Sequence, residues 1–179
     1  KSLDDQVGRV LETLKRRGLE KDTIVVFTSD NGGERYSLNW PFTGRKTELL
    51  EGGIRLPAIV RWPGRVAAGA SSAQVTITMD WLPTLLEAAG ARPDGDYPPD
   101  GESILPVLDG KRAAFPRQLY WRYKANTQRA VRDGNWKYFK INDHEFLFDV
   151  VADERERANL VARRDVDDLH VLFGAELQE

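Results

Sequence analysis

The chain contains no cysteine, which excludes disulfides, thiolate metal sites and a cysteine nucleophile within these residues and leaves the compartment open. Histidine is scarce. His144 lies in a polar turn and His170 borders the apolar face of a final helix, so both read as structural or exposed groups. No apolar run is long enough to cross a bilayer. The net charge of −2 comes from 26 basic and 28 acidic residues with the signs mixed, so no basic tract points to nucleic acid. The amino end, Lys1-Ser2-Leu3-Asp4-Asp5, lacks the layout of a signal peptide. It starts inside a helix cap, as though sequence preceded it, and any export signal would lie upstream of Lys1. What remains is a chain of 179 residues, 41% hydrophobic, enough for one domain with a core or for one lobe and an appendage.

The first segment is an amphipathic helix. Leu3, Val7, Val10, Leu11 and Leu14 recur at helical spacing. Ser2 with Asp5 resembles a capping box, Lys15-Arg16-Arg17 suit the negative end of the dipole, and Gly18 supplies a left-handed stop. Ile24 to Thr28 is an unbroken apolar, β-branched run, predicted as a strand buried on both faces of a parallel sheet. Ala58 to Trp62 is a second strand, stopped by Pro63-Gly64, and Val75 to Thr78 a short extended piece. Asp80 reads as the N-cap of a helix to Ala89 with Pro83 in its first turn, and a helical turn is predicted around Leu105–Leu108.

After Pro116 the pattern changes. Residues 118–123, 129–132, 136–141 and 145–150 are aromatic and β-branched, and Asp133-Gly134 marks a hairpin. A last helix is predicted over residues 166–177, with Val166, Leu169, Phe173 and Leu177 on one face. The division is therefore an α/β part over residues 1–114, followed by a small antiparallel sheet with a covering helix, an α+β appendage, over 115–179.

Chemistry concentrates at the exit of the first strand. Asp30 and Asn31 put a carboxylate and an amide oxygen side by side at a strand's carboxyl end, where open α/β sheets place their sites. Such donors suit calcium or magnesium, although Asp-Asn-Gly is also ordinary turn chemistry. Lys46 lies in the glycine-rich loop between Asn31 and Gly53 and could add positive charge beside a metal, as an anionic ester requires. Loops of that length in compact domains are usually functional. Arg45 is a competing cation, Trp40 and Phe42 are pocket or anchor residues, and Glu51 holds its turn with Arg55 bracing the same loop. Trp62, Trp81, Trp121 and Trp136 read as packing residues.

Seven segments in order carry a family resemblance: Thr28-Ser29-Asp30-Asn31-Gly32-Gly33; Gly44 to Gly53; Pro57 to Gly64; Asp80-Trp81-Leu82-Pro83-Thr84-Leu85-Leu86; Asp100-Gly101-Glu102-Ser103; Arg129 to Tyr138; and Leu147-Phe148-Asp149 with Glu156-Arg157-Ala158-Asn159-Leu160. Nearly the whole chain resembles the carboxyl-terminal part of the sulfatase family of the alkaline phosphatase superfamily. The resemblance implies a partial alkaline-phosphatase-like parallel or mixed sheet with helices, followed by the small antiparallel sheet. It implies that Asp30 and Asn31 are metal ligands for Ca2+, in some members Mg2+, and that Lys46 contacts the sulfate of a sulfate ester substrate. It also implies a formylglycine nucleophile, made from the first residue of a Cys/Ser-x-Pro/Ala-x-Arg motif, and an Asp-Asp pair for the metal. Neither is here. Asp4-Asp5 and Asp167-Asp168 fall on predicted helices, and the Asp-Pro usual before Glu-x-x-Asn-Leu is Asp153-Glu154.

The expectation is thus the carboxyl-terminal part of a sulfuric ester hydrolase, inactive alone. The alternatives are part of a phosphonate or phosphate ester hydrolase of the same superfamily, or a non-catalytic binding or assembly module. In isolation, exposed sheet edges predict self-association.

Overall fold

The computed structural model describes residues 2–124 and 127–163. Two compact units form, one from Lys1–Thr28 with Pro57–Phe115, the other from Ser29–Leu56 with Pro116–Glu179. The change of unit at residues 115–116 lies where the sequence changes character. The glycine-rich loop, however, is built into the unit of the carboxyl-terminal sheet.

In the first unit, helix α1 (Ser2–Arg16) carries Asp4 and Asp5 in its first turn and Lys15 and Arg16 in its last, and Gly18 takes the left-handed conformation at φ +68°. None of its side chains is buried among the described residues. Strand β1 (Val25–Thr28) pairs with β2 (Ala58–Arg61) in a two-stranded sheet, in register Val25 to Arg61 and Thr28 to Ala58. The pairing is antiparallel, where the sequence predicts a parallel neighbour. An apolar run reports burial but not the direction of its partner, and here burial is partial too, with Phe27 and Ile59 37% and 61% exposed. Arg61 pairs with Glu20, and the Trp62 indole N–H donates to the Lys21 carbonyl at 2.8 Å. No strand forms over 75–78; Thr78–Asp80 is a 3-10 turn leading into α3 (Trp81–Ala88).

Asp80 does more than begin that helix. Its fully buried carboxylate accepts the amides of Ile77 at 2.8 Å and Glu102 at 3.0 Å, which ties the helix entry to the Asp-Gly-Glu-Ser segment. The Thr84 hydroxyl then donates to the Asp80 carbonyl and accepts from the Ile104 amide, at the start of α4 (Leu105–Leu108). A Cβ at Gly101 would stand 2.2 Å from the Met79 carbonyl oxygen, so glycine is required there by contact.

The second unit is organised by a four-stranded antiparallel sheet in the order β3 (Gln118–Tyr123), β4 (Gln128–Asp133), β5 (Trp136–Ile141), β6 (His144–Asp149). Two-residue loops fix the register. Gly134-Asn135 joins β4 to β5 with Gly134 at φ +55°, and Asn142-Asp143 joins β5 to β6 with Asn142 at φ +51°. Alternation divides the sheet into two packed faces. One holds Ala130, Phe139, Phe148 and Val150 against Leu49 of the loop; the other holds Val131, Tyr138 and Leu147 against Leu160 and Val161. The covering helix predicted over 166–177 lies outside the described residues.

Candidate active site

The residues after β1 turn immediately. The Ser29 hydroxyl donates to the Asn31 carbonyl at 2.9 Å, leaving Asp30 exposed and Asn31 half-buried. Among the described residues, neither side chain enters a hydrogen bond or an ion pair, so their oxygens are uncommitted. The backbone beyond them is tightly held. The Gly32 amide donates to the Gly53 carbonyl at 2.8 Å, and a Cβ at Gly32 would fall 1.8 Å from the Gly52 carbonyl oxygen. Only a residue without a side chain permits that approach.

Gly33 leads to the lysine. Its amide donates to Asn39 Oδ1, while its carbonyl accepts the Lys46 amide at 3.0 Å and Asn39 Nδ2 at 3.2 Å. Only Gly32 therefore separates Asn31 from a residue bonded directly to the Lys46 backbone. The Lys46 ammonium is exposed and stands 3.6 Å from the Glu34 carboxylate, a weak surface pair. The competing cation, Arg45, is paired with Glu48 at 3.5 Å.

The loop closes on short helix α2 (Glu51–Ile54). The Gly52 amide donates to the Thr43 carbonyl at 2.7 Å, and a Cβ at Gly53 would lie 2.0 Å from the Glu48 carbonyl oxygen. Glu51 is buried, as its predicted turn-holding role requires. Its Oε1 meets the Lys137 ammonium at 3.0 Å, while Oε2 faces the guanidinium groups of Arg55 at 3.6 Å and Arg132 at 3.8 Å. Burial holds the Arg132 guanidinium below its ordinary range, with the Glu51 charge opposing that shift. Arg55 braces the loop as predicted, since it also stacks over Phe42 at 4.6 Å. Trp40 serves as an anchor with Arg155 3.9 Å above its ring, though it stays largely exposed.

Sequence reasoning missed the partners on the sheet. Lys137 is completely buried and binds both Glu51 and Glu156 (2.9 Å), while Glu156 also accepts the Glu51 amide at 2.6 Å. Burial pushes the Glu156 carboxyl above its usual range, a shift that Lys137 and the Glu51 amide oppose. Gln128, also buried, donates to the Thr47 carbonyl at 3.2 Å and accepts the Leu49 amide at 3.1 Å. One signal was available: position 137 alternates with Phe139 and Ile141, so a lysine stood in an apolar row. His144 is exposed at the start of β6; His170 lies outside the described residues. Beside the loop a cleft of about 620 Å³ is walled in part by Phe139, Phe146 and Phe148, with Arg45, Lys124 and Arg157 among its charged residues.

Hard oxygen donors at a strand exit fit the chemistry of a calcium or magnesium site, yet two are fewer than such ions take. Among the described residues no group of three or more His, Asp or Glu side chains is placed to hold a metal.

The sulfatase family model matches residues 1–91, more than half of the chain. The chain belongs to the sulfatase family. It is 40% identical over 143 residues to N-acetylgalactosamine-6-sulfatase of Mus musculus, a match covering 76% of this chain and 27% of that protein. It is 39% identical over 198 residues to steryl-sulfatase of Rattus norvegicus, covering 87% and 34%. The chain thus spans about a quarter to a third of these curated relatives. Among solved structures, Ps i-CgsB superimposes with TM-score 0.81 at 29% identity, covering 94% of this chain and 38% of that one. BT4656, solved with its substrate D-glucosamine-2-N,6-O-disulfate, superimposes with TM-score 0.76 at 26% identity, covering 94% and 36%. A sulfatase segment in which Asp30, Asn31 and Lys46 share one hydrogen-bonded loop is the arrangement to be explained.

Proposed function

We propose that this segment takes part in hydrolysis of sulfuric esters, supplying two metal ligands and one sulfate-binding cation. The observation that carries the reading is the backbone link between the strand-exit pair and the lysine loop, the Lys46 amide donating to the Gly33 carbonyl at 3.0 Å. Asp30 and Asn31 would hold Ca2+ or Mg2+ through carboxylate and amide oxygens. The bound ion would supply positive charge against the sulfate oxygens. Lys46, exchanging Glu34 for substrate, would bind and orient the same group and offset charge developing on it. Sulfate esters are the substrate class common to the names of the relatives, which favours them over phosphate or phosphonate esters. The nucleophile that the family implies is not among these residues: cysteine is absent and no serine lies in the required motif.

The test is to incubate the homogeneous chain with calcium and an aryl sulfate. No turnover is expected. Turnover would refute the assignment of this segment to a supporting role. Exposed Leu3, Val10, Phe27 and Ile59 also support self-association of the isolated chain, to be read by light scattering; a monomer at all concentrations would contradict it.

A further inference from the structure

Two strained positions are held around the lysine loop. Thr47, a β-branched residue next to Lys46, sits at φ +78°, and Glu156 sits at φ +52°, both in a region L side chains rarely occupy. Each is held by a buried contact to the sheet unit: Gln128 clasps the backbone on either side of Glu48, while Glu156 turns its carboxylate onto Lys137 and the Glu51 amide. Side-chain bonds fix the turn that aims Glu156, because Asp153 Oδ2 accepts the amides of Arg157 at 2.7 Å and Ala158 at 2.8 Å.

We propose that Gln128 and Lys137 are positioning residues for the candidate site, setting the loop that presents Lys46 and Asn31. The route is short. Lys137 fixes Glu51 at the start of α2. The carbonyl of Gly53 in that helix receives the Gly32 amide, adjacent to Asn31. Gln128 fixes Thr47 and Leu49, flanking the turn just after Lys46, whose amide is bonded to Gly33. Strands β4 and β5 thereby act as a rigid base for a strained loop, as a site accurate to a fraction of an ångström needs. A buried ammonium between two carboxylates is weak evidence for stability in itself; its use here is to hold one geometry.

This inference rests on the reading of Asp30, Asn31 and Lys46 as a site, but its test needs neither metal nor ester, so the two fail separately. Amide hydrogen exchange is measured on the 179-residue chain, on Glu51→Gln and on Gln128→Leu. Exchange at Gly32 and Lys46 should accelerate at least tenfold in Glu51→Gln, and at Lys46 in Gln128→Leu, while the β4–β5 ladder keeps its protection. Unchanged protection at Gly32 and Lys46 would overturn the proposal. So would loss shared equally with the ladder, which would make the cluster a general stability element. In Glu51→Gln the Lys137–Glu156 pair is retained, so the variant weakens the latch without stranding the buried ammonium.

Discussion

Replacing Lys137 by methionine keeps the volume of the buried stem and removes its charge. Lys137 is 0% exposed, and its partners Glu51 and Glu156 are 1% and 7% exposed, so water cannot replace the lost ammonium. Glu51 would keep Arg55 at 3.6 Å and Arg132 at 3.8 Å. Glu156 would keep the Glu51 amide, at 2.6 Å. Breaking a buried pair by removing one side costs about 3–5 kcal/mol. The surviving arginines place the expectation near the lower bound, about 3 kcal/mol. Adding Glu156→Gln to Lys137→Met should recover at least about 1 kcal/mol, the coupling expected of groups in direct contact. Denaturant unfolding, followed through ladder amide exchange so that the sheet unit is read by itself, measures both. A cost below about 1 kcal/mol for Lys137→Met would refute the claim that its charge is needed there.

Glu156 titrates in the opposite sense to a paired surface carboxylate. Its carboxyl is raised by burial, so the folded chain holds a proton that the unfolded one releases, and that contribution to stability is full below the ordinary glutamate range and fades as pH rises through the raised value; stability curves of the chain and of Glu156→Gln should converge or cross over that interval, and parallel curves would contradict it. Thr47→Gly should stabilise by about 0.5–1 kcal/mol, since relief of a left-handed β-branched residue exceeds the entropy glycine adds, and a thermal melt reads the sign. Asp80→Ala strands the amides of Ile77 and Glu102 in the first unit and should cost about 2–4 kcal/mol by denaturant titration. Gly32→Ala cannot be accommodated 1.8 Å from a carbonyl oxygen, so its loop amides should lose protection, whereas Gly64→Ala, with open space but φ +86°, should cost only about 1–2 kcal/mol.

Local rules reached far into this fold. Helix α1 ended where its basic turn and Gly18 said it would, and β3 and β5 matched their aromatic runs residue for residue. Pro83 in the first turn of α3 and the helical turn at Leu105 were equally legible. Asp133-Gly134 located its hairpin one residue early, because Asp133 still pairs with Trp136 and the turn is Gly134-Asn135. The antiparallel pairing of β1 with β2 was not legible, since strand direction is set by the route of the intervening chain rather than by the strand. At the site, the glycines, Glu51 and Arg55 announced themselves through spacing and family resemblance. Lys137, Gln128 and Glu156 did not, because their bonds to the loop span 79 to 105 residues of sequence. A lysine in an apolar row says that something must pair with it, but not what.

The most direct measurement is a calcium titration of the chain followed by amide chemical shifts, repeated with Asp30→Ala and Asn31→Ala. With only two of the usual six to eight oxygen ligands, binding at about millimolar concentration or weaker is expected. Shifts should concentrate at Asn31 and Gly32 and vanish in both variants. Shifts that persist in the variants, or that never appear at the strand exit at saturating calcium, would contradict the assignment of Asp30 and Asn31 as metal ligands.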